Sequence, residues 1–205
     1  MTRSWRRKIE TQSMKDIAIM SHSTRIISLI GMPGSGKSTV GVLLAKRLGL
    51  AFVDTDLLIQ EQEQATLAEI IAAKGHEALR GIEEQVLLDM DIYPAIISTG
   101  GSVVYSDAIM QRLAAASTVV YLRAQLETVD YRISLAPDRG IASPGNHTLE
   151  DVYNERVPLY EQYANITVDV DTDDPEVIAG HIKSSLDTRE VRADASIVDS
   201  YIYES

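Results

Sequence analysis

Residues 31–39, Gly-Met-Pro-Gly-Ser-Gly-Lys-Ser-Thr, fit the pattern G-x-x-x-x-G-K-[ST] at every fixed position. The chemistry such a run supports is phosphate binding. Gly31, Gly34 and Gly36 permit positive φ and close backbone approach, so successive amide N–H groups point at phosphate oxygens. A helix starting here adds the positive end of its dipole. Lys37 brings a point charge to the β/γ-phosphates, and Ser38 offers a hydroxyl to Mg²⁺. Gly34, Ser35, Gly36, Lys37, Ser38 and Thr39 are therefore the expected cradle of a nucleoside triphosphate. The alternative is a glycine-rich turn that matches by chance. The flanks argue against it: residues 26–30 read as a buried strand, and Val40, Leu43, Leu44 and Leu48 recur at helical spacing before Gly49, a C-terminal stop.

A phosphate cradle fixes the donor and leaves the acceptor open, so polar residues at other strand ends carry the rest. Asp54 and Asp56 close a second strand candidate as Asp-Thr-Asp, and at a strand period of two their side chains share a face. One carboxylate near Mg²⁺ and one near an acceptor hydroxyl suit phosphoryl transfer, whose catalysis is mainly positioning and charge stabilisation. Spacing alone supports equally a pair of turn or N-cap aspartates. Arg80 and Glu83, three apart on a helical pattern, are close enough for Glu83 to orient the guanidinium, although in isolation they read as a surface pair. Thr99-Gly100-Gly101-Ser102 permits close ligand approach or simply a tight turn. Arg156, in Glu-Arg-Val-Pro-Leu-Tyr at 155–160, precedes a helix-disturbing proline and alone reads as a solvated charge.

The elements that must position these groups alternate. Strand candidates lie at 26–30, 51–54, 95–98, 118–122 and 165–170, and helical patterns fall between them, clearest at 76–90 where Leu79, Ile82, Val86 and Met90 stripe one face. Such alternation predicts an α/β fold: a parallel sheet covered on both faces, with ligands at the carboxyl ends of the strands. Residues 136–147, rich in Pro and Gly with Arg139 among them, are expected to form a lid or an ordinary surface connection.

The 205 residues make one domain, expected over 25–186, with an N-terminal extension at 1–24 and a C-terminal tail at 187–205. A net charge of −11 opposes a broad nucleic-acid or membrane-surface footprint, because phosphate backbones and anionic lipids are met by basic faces. No apolar run approaches the roughly 18–20 residues needed to span a bilayer. The chain lacks cysteine, so it has no disulfide framework and no thiolate metal site, which suits a reducing compartment. The expectation is a cytoplasmic monomer acting on small molecules.

In their order along the chain these motifs resemble the shikimate kinases, over about residues 25–182. The resemblance rests on the run at 31–39, Phe-Val-Asp-Thr-Asp at 52–56, Arg80 with Glu83, Thr-Gly-Gly at 99–101 and the 155–160 motif. It implies a three-layer α/β/α P-loop fold with a five-stranded parallel sheet in the order 2-3-1-4-5, and transfer of phosphate from ATP to shikimate. By the same resemblance Asp56 positions and deprotonates the attacking hydroxyl, Arg80 and Arg156 grip the acceptor carboxylate, and Gly100 and Gly101 line the acceptor pocket. Asp54 holds Mg²⁺ through water beside Ser38, and Lys37 offsets charge on the transferring group. Arg139 reaches over the phosphates, while Arg132 and Pro175 flank the adenine. The chain departs from the family pattern where Ser102 replaces a third glycine, and where Arg139-Gly140-Ile141-Ala142 replaces Arg-Pro-Leu-Leu in the lid. These departures keep two other readings open, a same-fold kinase for another small hydroxylated carboxylate such as gluconate or homoserine, and an inactive nucleotide-binding regulatory module.

Overall fold

Ile27–Ile30 forms β1, buried at every position, as a strand flanked on both sides by others must be. A computed structural model of the chain describes residues 25–135, 147–171 and 174–202, with side chains to residue 189. The expected extension at 1–24, and Arg139 with residues 136–146 of the loop, lie outside the described residues. The remaining strands are β2 (Ala51–Asp54), β3 (Ala95–Ser98), β4 (Thr118–Arg123) and β5 (Ile166–Asp169). All pair in parallel in the order β2-β3-β1-β4-β5. This is the predicted sheet, and each strand falls within a residue or two of its expected place.

The helices are α1 (Lys37–Leu48), α2 (Thr55–Glu63), α3 (Leu67–Asp89), α4 (Asp107–Ala116), α5 (Leu126–Ser134), α6 (Leu149–Tyr163) and α7 (Pro175–Ile202), with a 3₁₀ turn at Val103–Tyr105. Helix α1 ends at Gly49 in the left-handed region (φ 66°), whose N–H bonds the Ala45 carbonyl. Gly41 lets α1 sit close to the sheet: a Cβ there would meet Phe52 Cε2 at 2.7 Å. The stripe predicted at 76–90 is the second arm of α3. A first arm begins earlier at a Thr66/Glu69 capping box, and Gly75, at φ 84° and ψ 171°, kinks the helix between the arms.

Two helices run further than local sequence signals suggest. Pro158 does not end a helix; α6 runs through it, because the stripe Val152, Arg156 and Tyr160 is buried and holds the helix on the core. The expected tail at 187–205 is not separate at its start, since α7 continues without a break from Pro175 to Ile202. Pro175 is the first residue of α7, where its missing N–H costs nothing, and Asp174 Oδ1 accepts from Glu176 N at 2.7 Å.

The main core surrounds the sheet. A second, smaller cluster of Ile59, Ile70, Leu79 and Val86 joins α2 to α3 on its own.

Candidate active site

The carboxyl ends of β1, β2 and β3 open into one cavity of about 650 Å³. Its donor wall is the loop between β1 and α1. Gly31, Gly34 and Gly36 take φ values of 146°, 79° and 95°, a backbone path that L side chains rarely follow. Lys37 is buried, and its Nζ donates to the carbonyls of Gly31 at 2.8 Å and Met32 at 3.0 Å. Ser35 Oγ is buried without a hydrogen-bond partner among the described residues, a polar group inside the phosphate cradle. Ser38 stands at the start of α1 with its Oγ 3.4 Å from Ser98 Oγ, and Ser98 pairs in register with Asp54. Thr39 is exposed on the first turn.

Asp54 and Asp56 both line the cavity, but not by the strand alternation predicted for them. β2 stops at Asp54, which caps α2, its Oδ1 accepting from Asp56 N at 3.0 Å. Asp56 lies in the first helical turn. Capping and cavity lining are compatible here: both aspartates border the same cavity as Gly34, Gly36 and Lys37 of the loop.

The acceptor wall comes from α3, the turn after β3, and α6. Arg156 is a buried cation, 1% exposed. Its Nε donates to the Tyr105 hydroxyl at 3.2 Å, and its guanidinium lies 5.0 Å from the Tyr105 ring centroid. Tyr160, one turn on along α6, stacks on Tyr121 at 5.1 Å and donates to the Gly101 carbonyl at 2.5 Å. The two glycines are tightly enclosed. A Cβ on Gly100 would lie 2.1 Å from Glu83 Oε1 and 3.2 Å from Asp56 Oδ1; one on Gly101 would lie 2.7 Å from Pro33 Cδ and 3.1 Å from Arg156 Nη1. Gly101 is thus the seam between donor and acceptor walls. The Gly100 N–H is held by Thr55 Oγ1 at 3.2 Å.

Arg80 and Glu83 do not pair as their spacing predicts. Glu83 is buried and accepts from the Ser102 hydroxyl through Oε2, whereas the Arg80 guanidinium lies over the Tyr105 ring at 4.3 Å and outside the cavity lining. Glu83 Oε1 and Arg80 Nε are both buried without a hydrogen-bond partner among the described residues. Burial pushes the Glu83 carboxyl up to about 7; the Ser102 hydrogen bond works against this, Asp56 adds to it, and Arg156 and Lys37 oppose it.

Arg132 and Pro175 stand outside this cavity, on the other flank of the loop. Arg132 donates to the carbonyls of Gly34 at 3.3 Å and Val170 at 2.7 Å, bracing the phosphate loop against the segment that leads to Pro175. Tyr105, which organises both arginines, has no signal in the sequence: it follows two valines in a short turn, and only tertiary packing shows its role.

Among known proteins, the family model for shikimate kinase matches residues 33–187. Shikimate kinase from Vibrio campbellii is 38% identical over 80% of this chain and 98% of its own length. That from Mycobacterium ulcerans is 37% identical over 78% and 88%. The solved structure of shikimate kinase from Acinetobacter baumannii in complex with shikimate matches with a TM-score of 0.77 at 27% identity, covering 83% of this chain and 98% of that one. The Aquifex aeolicus shikimate kinase matches with a TM-score of 0.70 at 29% identity, over 80% and 98%. Likeness of this extent in sequence and fold, running from the phosphate loop into α7, makes the chain a member of the shikimate kinase family.

Proposed function

We infer that the chain transfers the γ-phosphoryl group of ATP to a hydroxyl of shikimate, giving shikimate 3-phosphate and ADP. The observation that carries this reading is the convergence of Lys37, Ser38, Asp54, Asp56, Gly100, Gly101 and Arg156 on one cavity. The acceptor oxygen bonds to the γ-phosphorus as the bridging bond to the β-phosphate breaks. The hydroxyl proton passes to Asp56. The amides of residues 34–39 hold the phosphates, and Lys37 leaves its carbonyl partners to meet the charge on the transferring group. Arg156, already desolvated, binds the shikimate carboxylate at little further solvation cost, and Arg80 joins it by swinging off the Tyr105 ring. Arg132 and Pro175 border the adenine; the role of Arg139 rests on the family resemblance alone.

Ser38 and Asp54 supply hard oxygen ligands on adjacent elements beside the phosphate loop, a donor set that suits Mg²⁺. Ser38 and Asp54 would hold such an ion beside the nucleotide, where it would supply charge neutralisation to the phosphates. The chain is taken to act as a monomer, and a cysteine-free composition suits the cytoplasm.

The test is ADP release by the purified chain with ATP, Mg²⁺ and shikimate, with gluconate and homoserine as competing acceptors. Shikimate-dependent release, abolished by chelation of Mg²⁺, is the expected result; release with another acceptor alone overturns the substrate assignment. Light scattering at micromolar concentration reads the oligomeric state.

A further inference from the structure

Ser102 occupies a position where the backbone asks nothing special of it. Its φ of −86° and ψ of −7° are open to any residue, so what the serine adds over glycine is its hydroxyl. That hydroxyl is buried and spends its proton on Glu83 Oε2. The bond reaches across from the turn after β3 to the second arm of α3. It takes up a carboxylate that one helical turn would otherwise offer to Arg80. With Glu83 held, its other oxygen lies against Gly100 on the side that also faces Asp56, buried and without a partner among the described residues. Arg80 Nε is left without one too, and its guanidinium rests on Tyr105.

We propose that Ser102 is a positioning residue for the acceptor: it fixes the Glu83 carboxylate with Oε1 turned into the cavity beside Asp56, where Oε1 accepts a hydrogen bond from a hydroxyl of the acceptor, and it keeps that carboxylate off Arg80. The acceptor then meets a prepared carboxylate oxygen for a hydroxyl, and Arg80, resting on Tyr105 rather than paired with Glu83, has only to leave the ring to reach the acceptor's carboxylate. The proposal rests on the reading of this cavity as the acceptor site. The charged groups around Glu83 are Asp56 from α2, Lys37 from α1, Arg156 from α6 and Arg80 on its own helix; of these Asp56 disfavours the ionised form, and Arg156 and Lys37 favour it.

The experiment compares the full-length wild type with Ser102→Ala, Ser102→Gly and Ser102→Thr. With shikimate and ATP varied in turn, Ser102→Ala should raise the KM for shikimate by about tenfold, the scale of a hydrogen bond to a charged group, and leave the KM for ATP unchanged. Ser102→Thr, which keeps the hydroxyl, should restore it, and Ser102→Gly, which lacks the hydroxyl as Ser102→Ala does, should match Ser102→Ala, so that either one carries the test if the other folds poorly. Infrared titration of the buried carboxyl, with no acceptor present, should show its midpoint moving to higher pH in Ser102→Ala, because the ionised form loses its donor. An unchanged shikimate KM, equal changes for both substrates, failure of threonine to rescue or an unmoved midpoint each overturn the proposal. A wild type that turns over no shikimate but shows the infrared shift instead fails the substrate reading and leaves the Ser102–Glu83 bond standing.

Discussion

Arg156 and Tyr105 are locked together twice, through a hydrogen bond from Nε to the phenolic oxygen at 3.2 Å and through the face of the ring at 5.0 Å. A guanidinium that is 1% exposed has already lost its water, and the tyrosine is part of what replaces it.

Arg156→Ala should therefore act on the acceptor alone. Truncating a buried, hydrogen-bonded cation costs about 2–5 kcal/mol, so kcat/KM for shikimate should fall at least ~30-fold while ATP affinity stays within about threefold. Tyr105→Phe keeps the ring and removes only the oxygen, and should cost about 1 kcal/mol, a rise of roughly fivefold in the shikimate KM. Steady-state kinetics with each substrate varied separates the two effects; equal losses for both substrates contradict the role given to Arg156.

Lys37→Met should preserve the fold and lower kcat by about 100-fold or more, the scale seen when one charge-stabilising donor is removed from a transition state. Its aliphatic stem is buried in the loop, and methionine keeps that volume. Single-turnover kinetics with ATP above its binding constant checks this; a loss confined to KM contradicts it.

The two glycines after β3 should fail differently. In Gly100→Ala the new methyl pushes the Glu83 carboxylate away from its bond to Ser102, so the cost should appear in the shikimate KM. In Gly101→Ala it meets the Pro33 ring, which cannot yield in the same way, so the cost should appear as a lowered Tm, with about 1–3 kcal/mol of overpacking. Thermal melts run beside kinetics on both variants test the contrast.

Glu83 makes stability depend on pH. Its carboxyl is raised in the folded chain from an ordinary 4.5 to about 7, so between these values the folded state binds more protons than the unfolded state. Stability from this group is full below about 4.5 and is lost as pH rises through about 7. Glu83→Gln removes the ionisation, and its Tm relative to wild type should climb between pH 5 and pH 8. A constant difference across that range contradicts the assignment.

The sheet was legible because parallel strands buried on both faces are continuous apolar runs, and residues such as Ile27, Ile96 and Val120 announce themselves. The phosphate loop was legible because its work is done by backbone and glycine at adjacent positions. The acceptor wall was only half legible. Arg156 beside a proline carries the local signature of an exposed charge, and its burial comes from Tyr105, 51 residues away. Glu83 and Arg80 have the spacing of a helical pair, and nothing local reveals that Ser102, 19 residues away, takes one partner from the other. Spacing left Asp54 and Asp56 open between a strand pair and a helix cap, and the structure takes the cap, with both residues lining the cavity.

The small cluster of Ile59, Ile70, Leu79 and Val86 has a consequence for how this enzyme changes over generations. In a protein with one core every change at the binding site loads the whole fold, whereas here α2 and α3 share a small apolar cluster beside the main core, and the turn after β3 and α6 stay on the main one. Substitutions in that cluster alter how easily α2 and the first arm of α3 open before they touch the sheet. Hydrogen exchange should find these helices opening at lower free energy than β1, and selection on substrate choice has in them a part it can retune while the phosphate-handling half stays as it is.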